Sequence, residues 1–241
     1  MNLRAVLAEA LGTFVLVAMG SMAIVSATGL GQGSGGVIIL LVAPFGFGLG
    51  LLAAITIFGQ VSGGHFNPAV TLAALLDGRV DVVNAILYAI AQAVGAVAAS
   101  LSIRLLVAPE LVDATRNVPG VSDGQAFVVE AILTTIFVAV ILTVTRKQPT
   151  FAPLVIALTL VAIHFAAVPI TGASVNPARA LGPAIVAGKY ASLWVYLTAP
   201  FIGGLLGWAM YRFFTPDEDD VEGEFEDEDE LEPEIDELPA R

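Results

Sequence analysis

Two copies of one tripeptide are the clearest candidates for chemistry in this chain: Asn67-Pro68-Ala69 and Asn176-Pro177-Ala178. Asparagine is a favoured helix N-cap, and proline suits the first helical position because its φ is fixed and it has no N–H to satisfy. Each copy therefore predicts a helix start. If each side-chain oxygen caps its own helix, the amide N–H groups remain able to donate to the oxygen of a passing solute.

Charged or titratable side chains inside apolar segments form a second group of candidates: Glu9, Glu130, His164 and Arg179. Such groups are costly in apolar surroundings, so function is the default hypothesis. Arg179 and His164 are therefore candidate functional residues; the alternative for His164 is hydrogen-bonded packing. We expect Glu9 and Glu130 each to accept hydrogen bonds from backbone N–H groups that have no partner within a helix. His65 is expected to tie its glycine-rich segment to a neighbouring helix, with a pore-lining or pH-sensitive role as the alternative.

Several kinds of chemistry are absent from the sequence. The chain has no cysteine, which excludes disulfides, thiolate catalysis and cysteine-based metal sites, and its two histidines are too few for the commoner metal centres. It contains no phosphate-binding loop, no zinc-protease motif and no nucleophile with a base partner. The sequence also lacks a cluster of Lys and Arg residues of the kind that binds nucleic acid. We therefore expect no enzyme activity, no cofactor, no metal and no nucleic-acid partner.

The composition indicates a membrane protein in contact with lipid. Of 241 residues, 57% are hydrophobic and only 13% are charged, whereas a soluble domain carries about a quarter charged residues. Because a spanning helix needs about 20 apolar residues, the charge-free stretches predict six helices, near 4–27, 37–58, 82–107, 125–145, 152–170 and 190–214. We interpret the first as a retained span, since Glu9 interrupts it and no signal-peptide cleavage site follows.

Two further apolar segments, 67–76 and 176–186, are too short to cross a bilayer. Ten residues of helix are roughly 15 Å long, about half of the hydrocarbon core. We therefore predict two re-entrant half-helices. Irregular backbone at membrane depth is tolerated only inside protein or along a wet cavity, so the glycine-rich approaches to both segments indicate a pathway.

The chain also contains an internal repeat. The segment around Glu9 matches the segment around Glu130, and one tripeptide follows each, which gives halves of about 1–110 and 124–215. Each half holds three spans, so the second half must enter from the opposite side, and the broken segments of such an inverted repeat mark the functional site. We predict an all-α integral membrane protein with six transmembrane helices and two half-helices, whose N-termini meet near the midplane, in one channel domain over 1–215.

With these motifs the chain resembles the major intrinsic protein family, the aquaporins and glycerol facilitators, over about residues 3–214. The resemblance rests on residues 62–71, which read SGGHFNPAVT, and on residues 174–179, which read SVNPAR. It implies a passive water channel that excludes protons and ions, in a homotetramer. It also implies a ring of four residues at the narrowest point: Phe47, His164, Ala173 and Arg179.

The residues of this ring bear on the choice of solute. An aromatic residue, a histidine and an arginine are typical of the water-selective members of the family. Glycerol facilitators resemble each other in having a small residue where His164 stands and an aspartate directly after the arginine, where this chain has Ala180. Ala173 and Leu197 depart from the residues usual in water channels, so a facilitator of glycerol or another small neutral solute is the first alternative.

An ion-coupled secondary transporter is the second alternative, because such transporters also use inverted repeats and broken helices. Its coupling-ion ligands would be the two glutamates inside the spans. Transport that saturates and follows a proton gradient would distinguish it from a channel.

The charge distribution predicts an orientation and a separate tail. Short cytoplasmic loops gather Lys and Arg, and a modest bias of this kind places both termini in the cytoplasm of a plasma-membrane protein. Residues 217–241 hold 15 of the 22 acidic side chains and one of the 10 basic ones. Such segments are usually disordered. We expect residues 216–241 to form a disordered solvating tail, with a gate or a docking site for a cationic partner as the alternative.

Overall fold

A computed structural model describes residues 2–30, 35–107 and 109–215. Within these ranges the chain forms helices and no strand. In chain order they are α1 (Leu3–Leu30), α2 (Gly35–Ser62), α3 (Pro68–Leu76), α4 (Val82–Leu106), α5 (Pro109–Asp113), α6 (Asp123–Lys147), α7 (Ala152–Thr171), α8 (Pro177–Ala187) and α9 (Leu193–Phe214).

The predicted all-helical membrane fold is confirmed. Six of the described helices are long and apolar enough to cross a membrane: α1, α2, α4, α6, α7 and α9. Some ends differ from the prediction, because local backbone conformation and not composition stops the helix. Helix α2 continues past residue 58 to Ser62, where Gly63 takes a φ of 92°. Helix α9 begins at Leu193 and not at 190, after Ser192 with a φ of 55°.

One helix was not predicted. The short helix α5 lies in the connection between the third and fourth spans, which the sequence analysis left without structure. It packs against α8 and leads into residues 114–117, which contact the site described below. The predicted acidic tail, residues 216–241, lies outside the described residues, and its disorder stays a prediction.

Close contacts between spans are made at glycines. Helix α1 packs against α2 and α4, and α6 packs against α9 and α7. A Cβ at Gly95 of α4 would lie 2.1 Å from the carbonyl oxygen of Ala10 on α1, and one at Gly203 of α9 would lie 2.5 Å from that of Ala131 on α6. Small residues thus let the first and third spans of each half approach backbone to backbone.

The two half-helices begin where the tripeptides predict. Helix α3 starts at Pro68 with Asn67 as its N-cap, and α8 starts at Pro177 with Asn176 as its N-cap. Each half-helix packs against both α4 and α9, the third spans of the two halves. The half-helices are therefore enclosed by protein and contribute their N-termini to the interior.

Candidate functional site

The N-termini of the two half-helices meet in the interior through crossed hydrogen bonds. The side-chain oxygen of Asn67 accepts from the N–H of Ala69 at 2.9 Å, and its amide donates to the carbonyl oxygen of Val175 at 2.7 Å. Asn176 mirrors this arrangement: its amide donates to the carbonyl oxygen of Phe66 at 2.9 Å. Each asparagine thus binds the residue that precedes the other asparagine.

The crossed bonds define what the two amide groups can still donate. Capping was predicted to leave amide donors of the two asparagines facing the pathway, so that two donors meet the oxygen of a solute. A carboxamide carries two N–H donors, and the crossed bond uses one of them. Both asparagines line the same cavity, so each has one N–H left to donate into it.

The residues before the two asparagines have unusual backbone conformations. Phe66 has a φ of 48° and Val175 a φ of 45°. Positive φ is uncommon for residues other than glycine, and for a β-branched residue such as Val175 it is an outlier that the surroundings must enforce. Here the carbonyl of each residue is held by the opposite asparagine, and the N–H of each is held by a buried glutamate.

In the first half this glutamate is Glu9, which is fully buried in α1. Its two oxygens accept four hydrogen bonds of 2.6–3.0 Å, from the Ser62 hydroxyl, the N–H groups of His65 and Phe66, and the Gln92 amide. The carboxylate therefore satisfies backbone donors in a loop that has no helix to satisfy them.

In the second half Glu130 of α6 has the corresponding contacts. It is fully buried and accepts from the Thr171 hydroxyl at 2.7 Å, the Ser174 N–H at 2.9 Å and the Val175 N–H at 2.7 Å. The matched positions seen in the sequence thus have matched partners in the structure.

His65 contacts both a neighbouring span and the cavity. Its Nδ1 lies 3.1 Å from the Thr71 hydroxyl, which itself donates to the carbonyl oxygen of Asn67 at 3.0 Å. Because that hydroxyl proton is in use, His65 Nδ1 is the donor in the contact. The ring also packs edge-on against Tyr88 of α4, with centroids 5.5 Å apart, and it lines the cavity.

Three side chains that were not predicted complete this network. Gln92 of α4 donates to both Glu9 and Thr71, and its isolated position in an apolar span was the available signal. Two tyrosines hold the last carbonyl of the span before each loop: Tyr88 donates to Ser62 O at 3.2 Å, and Tyr196 to Thr171 O at 2.6 Å.

Two internal cavities extend along the axis of the helix bundle. The larger, of about 380 Å³, reaches from Thr145 and Pro149 at one end, past both asparagines, to His164 and Arg179. The smaller, of about 270 Å³, continues from the same two residues to Asp113 and other residues of the connection after α4. Together the cavities form an interior path between the two ends of the bundle.

Three side chains line both cavities and so lie between them: Phe47, His164 and Arg179. The rings of Phe47 and His164 stack with centroids 4.7 Å apart, and the guanidinium carbon of Arg179 lies 4.4 Å from the centroid of Phe47. These contacts leave the three side chains at most 2% exposed. Three of the four predicted ring residues therefore lie together at the constriction between the two cavities, and their role as a filter stays a prediction.

The fourth predicted ring residue, Ala173, has a different position. It is fully buried with a φ of 47°, and it lines neither cavity, although its neighbours do: Gly172 lines the smaller cavity and Ser174 the larger. The Ala173 side chain is therefore absent from the walls of the path.

The hydrogen bond of His164 determines what this residue presents to the path. Its Nδ1 lies 2.9 Å from the carbonyl oxygen of Leu160, and because a carbonyl only accepts, Nδ1 carries the proton. In the neutral ring, Nε2 is then an acceptor. Nε2 is buried and has no protein partner among the described residues. The neutral form of His164 therefore presents an acceptor to the path.

Residues after α5 hold Arg179 in place. Its Nη1 donates to the carbonyl oxygen of Thr115 at 3.0 Å and to Oδ1 of Asn117 at 2.6 Å. Asn117 also donates to the carbonyl oxygen of Gly172 at 2.9 Å. Neither contact was predicted, since nothing in residues 114–117 indicates contact with a position more than 60 residues later.

The mouth of the smaller cavity carries an ion-pair cluster outside the spans. Asp113 accepts from Lys189 Nζ at 2.6 Å and from Arg116 Nε at 2.5 Å. These hydrogen bonds lower the pKa of the Asp113 carboxyl below its ordinary value. In the part of the chain that the structure describes, no group of three or more His, Asp or Glu side chains could hold a metal ion.

Known proteins share both the sequence and the fold. The sequence model of the family described as "Major intrinsic protein" matches residues 1–211. The chain belongs to the major intrinsic protein family. Members of this family are channels and not enzymes, so the prediction of a membrane channel without enzyme activity is confirmed by the family.

Relatives within the major intrinsic protein family have names of two kinds. The chain is 42% identical to "Glycerol uptake facilitator protein-like 6" of Lactiplantibacillus plantarum, with 85% of this chain and 94% of the relative covered. It is 39% identical to "Aquaporin Z" of Rhodopseudomonas palustris, with 90% and 95% covered. The solved aquaglyceroporin of Plasmodium falciparum matches with a TM-score of 0.79 at 27% identity, covering 88% of this chain and 96% of that one.

Proposed function

We propose that this chain is a passive water channel that excludes protons and ions. The proposal rests mainly on one observation: the stacked pair Phe47 and His164, together with Arg179, lies between two cavities that otherwise form one path. A path narrowed by two rings and a guanidinium leaves little width for a solute. In this proposal Phe47, His164 and Arg179 are the selectivity filter, and Ala173 contributes through its backbone.

The charge on Arg179 supports the exclusion of cations. A guanidinium stays protonated at all physiological pH values, and in a narrow path of low dielectric its repulsion of another cation is far stronger than in water. Helices α3 and α8 add the positive ends of their dipoles at the asparagines. A neutral solute meets neither barrier.

We propose that the two asparagines of the Asn-Pro-Ala motifs orient water at the midplane. Each has one amide N–H for the cavity, and a water whose oxygen accepts from both can donate only outward to its neighbours. A chain of such waters cannot keep one orientation through the midplane, so it cannot conduct protons by relay. The role proposed for the rest of each motif is to start a half-helix at this point, through Pro68 and Ala69 in α3 and through Pro177 and Ala178 in α8.

We further propose that Glu9 and Glu130 are structural supports. All four of their carboxylate oxygens accept hydrogen bonds from the re-entrant loops or neighbouring side chains. A coupling carboxylate of a secondary transporter must exchange protons or ions during the cycle, which would break these bonds. The contacts and the family therefore favour a channel over that alternative.

A facilitator of glycerol or another small neutral solute is the second candidate function. The names of two similar proteins, a glycerol uptake facilitator-like protein and an aquaglyceroporin, favour it. The buried His164 ring in the constriction and Ala180, where facilitators have an aspartate, favour water.

We further propose that the chain assembles as a homotetramer in the plasma membrane, with both termini in the cytoplasm. The charge bias of the loops supports this orientation, and the family supports the assembly.

Stopped-flow light scattering on proteoliposomes distinguishes the water channel from the facilitator and the transporter. Osmotic water flux, glycerol flux and proton leak are compared in the same vesicles, with protein-free vesicles as the control. We expect fast water flux with a low activation energy, little glycerol flux and no proton leak. Glycerol flux comparable with water flux would support the facilitator, and flux that follows a proton gradient would support the transporter.

A further inference from the structure

Three arginines surround a small cavity at the end of the bundle where α9 finishes. The cavity measures about 350 Å³, and its walls are Asp77, Arg79, Thr145, Arg146, Tyr211 and Arg212. These residues come from the connection after α3 and from the ends of α6 and α9. The walls therefore carry three positive charges and one negative charge, and Lys147 adds a further cation at the end of α6.

The contacts inside the cluster give it a defined shape. Arg79 donates to Asp77 at 2.7 Å, to the Thr145 hydroxyl at 2.6 Å and to the carbonyl oxygen of Leu142 at 3.0 Å. Arg146 donates to the buried Tyr211 hydroxyl at 3.3 Å. Arg79 and Arg146 are thus held in one concave site that Arg212 also lines, which suits a ligand with several adjacent negative charges.

The chain itself supplies such a ligand. The described residues end at Thr215, three positions after Arg212, and the next residues in the sequence are Pro216 and then the run Asp217-Glu218-Asp219-Asp220. An extended chain spans at most about 3.6 Å per residue, so the whole run lies within roughly 20 Å of Thr215. A tethered ligand this close has a high effective concentration at the site.

We propose that the acidic run 217–220 docks in the arginine-lined cavity formed by Arg79, Arg146 and Arg212. Isolated exposed ion pairs contribute little, so the docking depends on several carboxylates binding several guanidiniums at once and on the short tether. Thr145 lines both this cavity and the larger cavity of the path. The docked run therefore holds negative charge beside one mouth of the channel.

A nitroxide spin label tests the docking directly. The chain has no cysteine, so a single cysteine introduced by Val221→Cys is the only labelling site. The full-length protein is placed in phosphatidylcholine nanodiscs and its electron paramagnetic resonance spectrum is recorded at low salt and at about 1 M KCl, where the Debye length is about 3 Å. We expect a several-fold longer rotational correlation time at low salt than at high salt.

Two further variants locate the contact. Arg146→Gln with Arg212→Gln should give the mobile spectrum already at low salt, whereas the control, Arg116→Gln with Lys189→Gln, removes the same charge at the other end of the bundle and should leave the label immobile. Neutralising the run itself, with D217N, E218Q, D219N and D220N, should also free the label and leaves the described residues unchanged.

Several outcomes would overturn the proposal. A label that is equally mobile at low and high salt in the unmodified channel would do so. A label that stays immobile after Arg146 and Arg212 are neutralised would place the tail elsewhere. A mobile label, combined with retention of phosphatidylglycerol that depends on the two arginines, would assign the cavity to an anionic lipid headgroup.

Discussion

Asn117 Oδ1 lies 2.6 Å from Nη1 of Arg179, so a side chain from the connection after α5 fixes the cation of the constriction. The carbonyl oxygen of Thr115 is a second acceptor for the same nitrogen, at 3.0 Å. A long flexible arginine gains a fixed position only when acceptors hold it. The position of the Arg179 guanidinium beside Phe47 therefore depends on Thr115 and Asn117, which line neither cavity.

Asn117→Ala should loosen Arg179 without removing its charge. A hydrogen bond to a charged group contributes about 1.5–3 kcal/mol, and its loss lets the guanidinium leave its position over Phe47. We expect glycerol permeability to rise several-fold relative to water permeability, measured by stopped-flow light scattering. The matched control is Asn84→Ala, at an asparagine near the other end of the bundle, which should change neither flux. Unchanged glycerol flux in Asn117→Ala would show that the Thr115 carbonyl alone holds Arg179 in place.

Arg179→Val should remove the charge barrier and widen the constriction together. The expected result is that glycerol, protons or other ions pass at rates well above those of the unmodified channel, because the guanidinium over the Phe47 ring is gone. Proton leak is measured with a pH-sensitive dye inside the proteoliposomes. If solute and ion selectivity stay unchanged in a folded variant, Arg179 is not the filter.

Glu130→Gln should destabilise the channel. The carboxylate accepts from Thr171, Ser174 and Val175, and an amide offers one oxygen and one NH₂ group in place of two oxygens. At least one buried donor then faces another donor, which costs about 1–3 kcal/mol. We expect the detergent-solubilised protein to lose its monodisperse form at a temperature several degrees lower.

The matched control is Glu110→Gln, since Glu110 is exposed on α5 and its substitution should leave the thermal stability unchanged. The transporter alternative predicts a different outcome for Glu130→Gln: full thermal stability together with loss of a proton-dependent flux. That result would contradict the supporting role proposed for this glutamate.

Gly95→Ala should push α1 and α4 apart. The added Cβ would lie 2.1 Å from the carbonyl oxygen of Ala10, and a rigid helix backbone relieves such a clash only by moving. Overpacking of this kind costs about 1–3 kcal/mol. Gly124→Ala is the control, because nothing lies within 4 Å of a Cβ there. Equal thermal stability of the two variants would mean that the α1–α4 contact adjusts freely.

Local chemistry explains why much of the fold was predictable. A span is recognised by the length of its apolar stretch, and the pair Asn67 and Pro68 starts a helix because capping and a fixed φ act within three residues. The repeat adds that Glu9 and Glu130 have equivalent surroundings. None of these inferences needs a contact between distant parts of the chain.

The parts of the site that were not predicted depend mainly on contacts between residues far apart in the sequence. Gln92 joins Glu9 to Thr71, and Asn117 reaches Arg179, across separations that no sequence pattern encodes. The hydrogen bond from His164 Nδ1 to the carbonyl oxygen of Leu160 was not predicted either. That bond depends on the ring orientation, which packing against Phe47 sets.

The amino-acid sequence by itself determined that this protein crosses a membrane six times, that two half-helices begin at Asn67 and Asn176, and that its interior carries two buried glutamates and one arginine. These features follow from apolar length, capping and charge, which act locally along the chain. Only the tertiary structure decided that each asparagine binds the carbonyl before the other and that Phe47, His164 and Arg179 lie between two cavities. Such contacts join residues more than 100 positions apart, and the packing of the two halves alone brings them together.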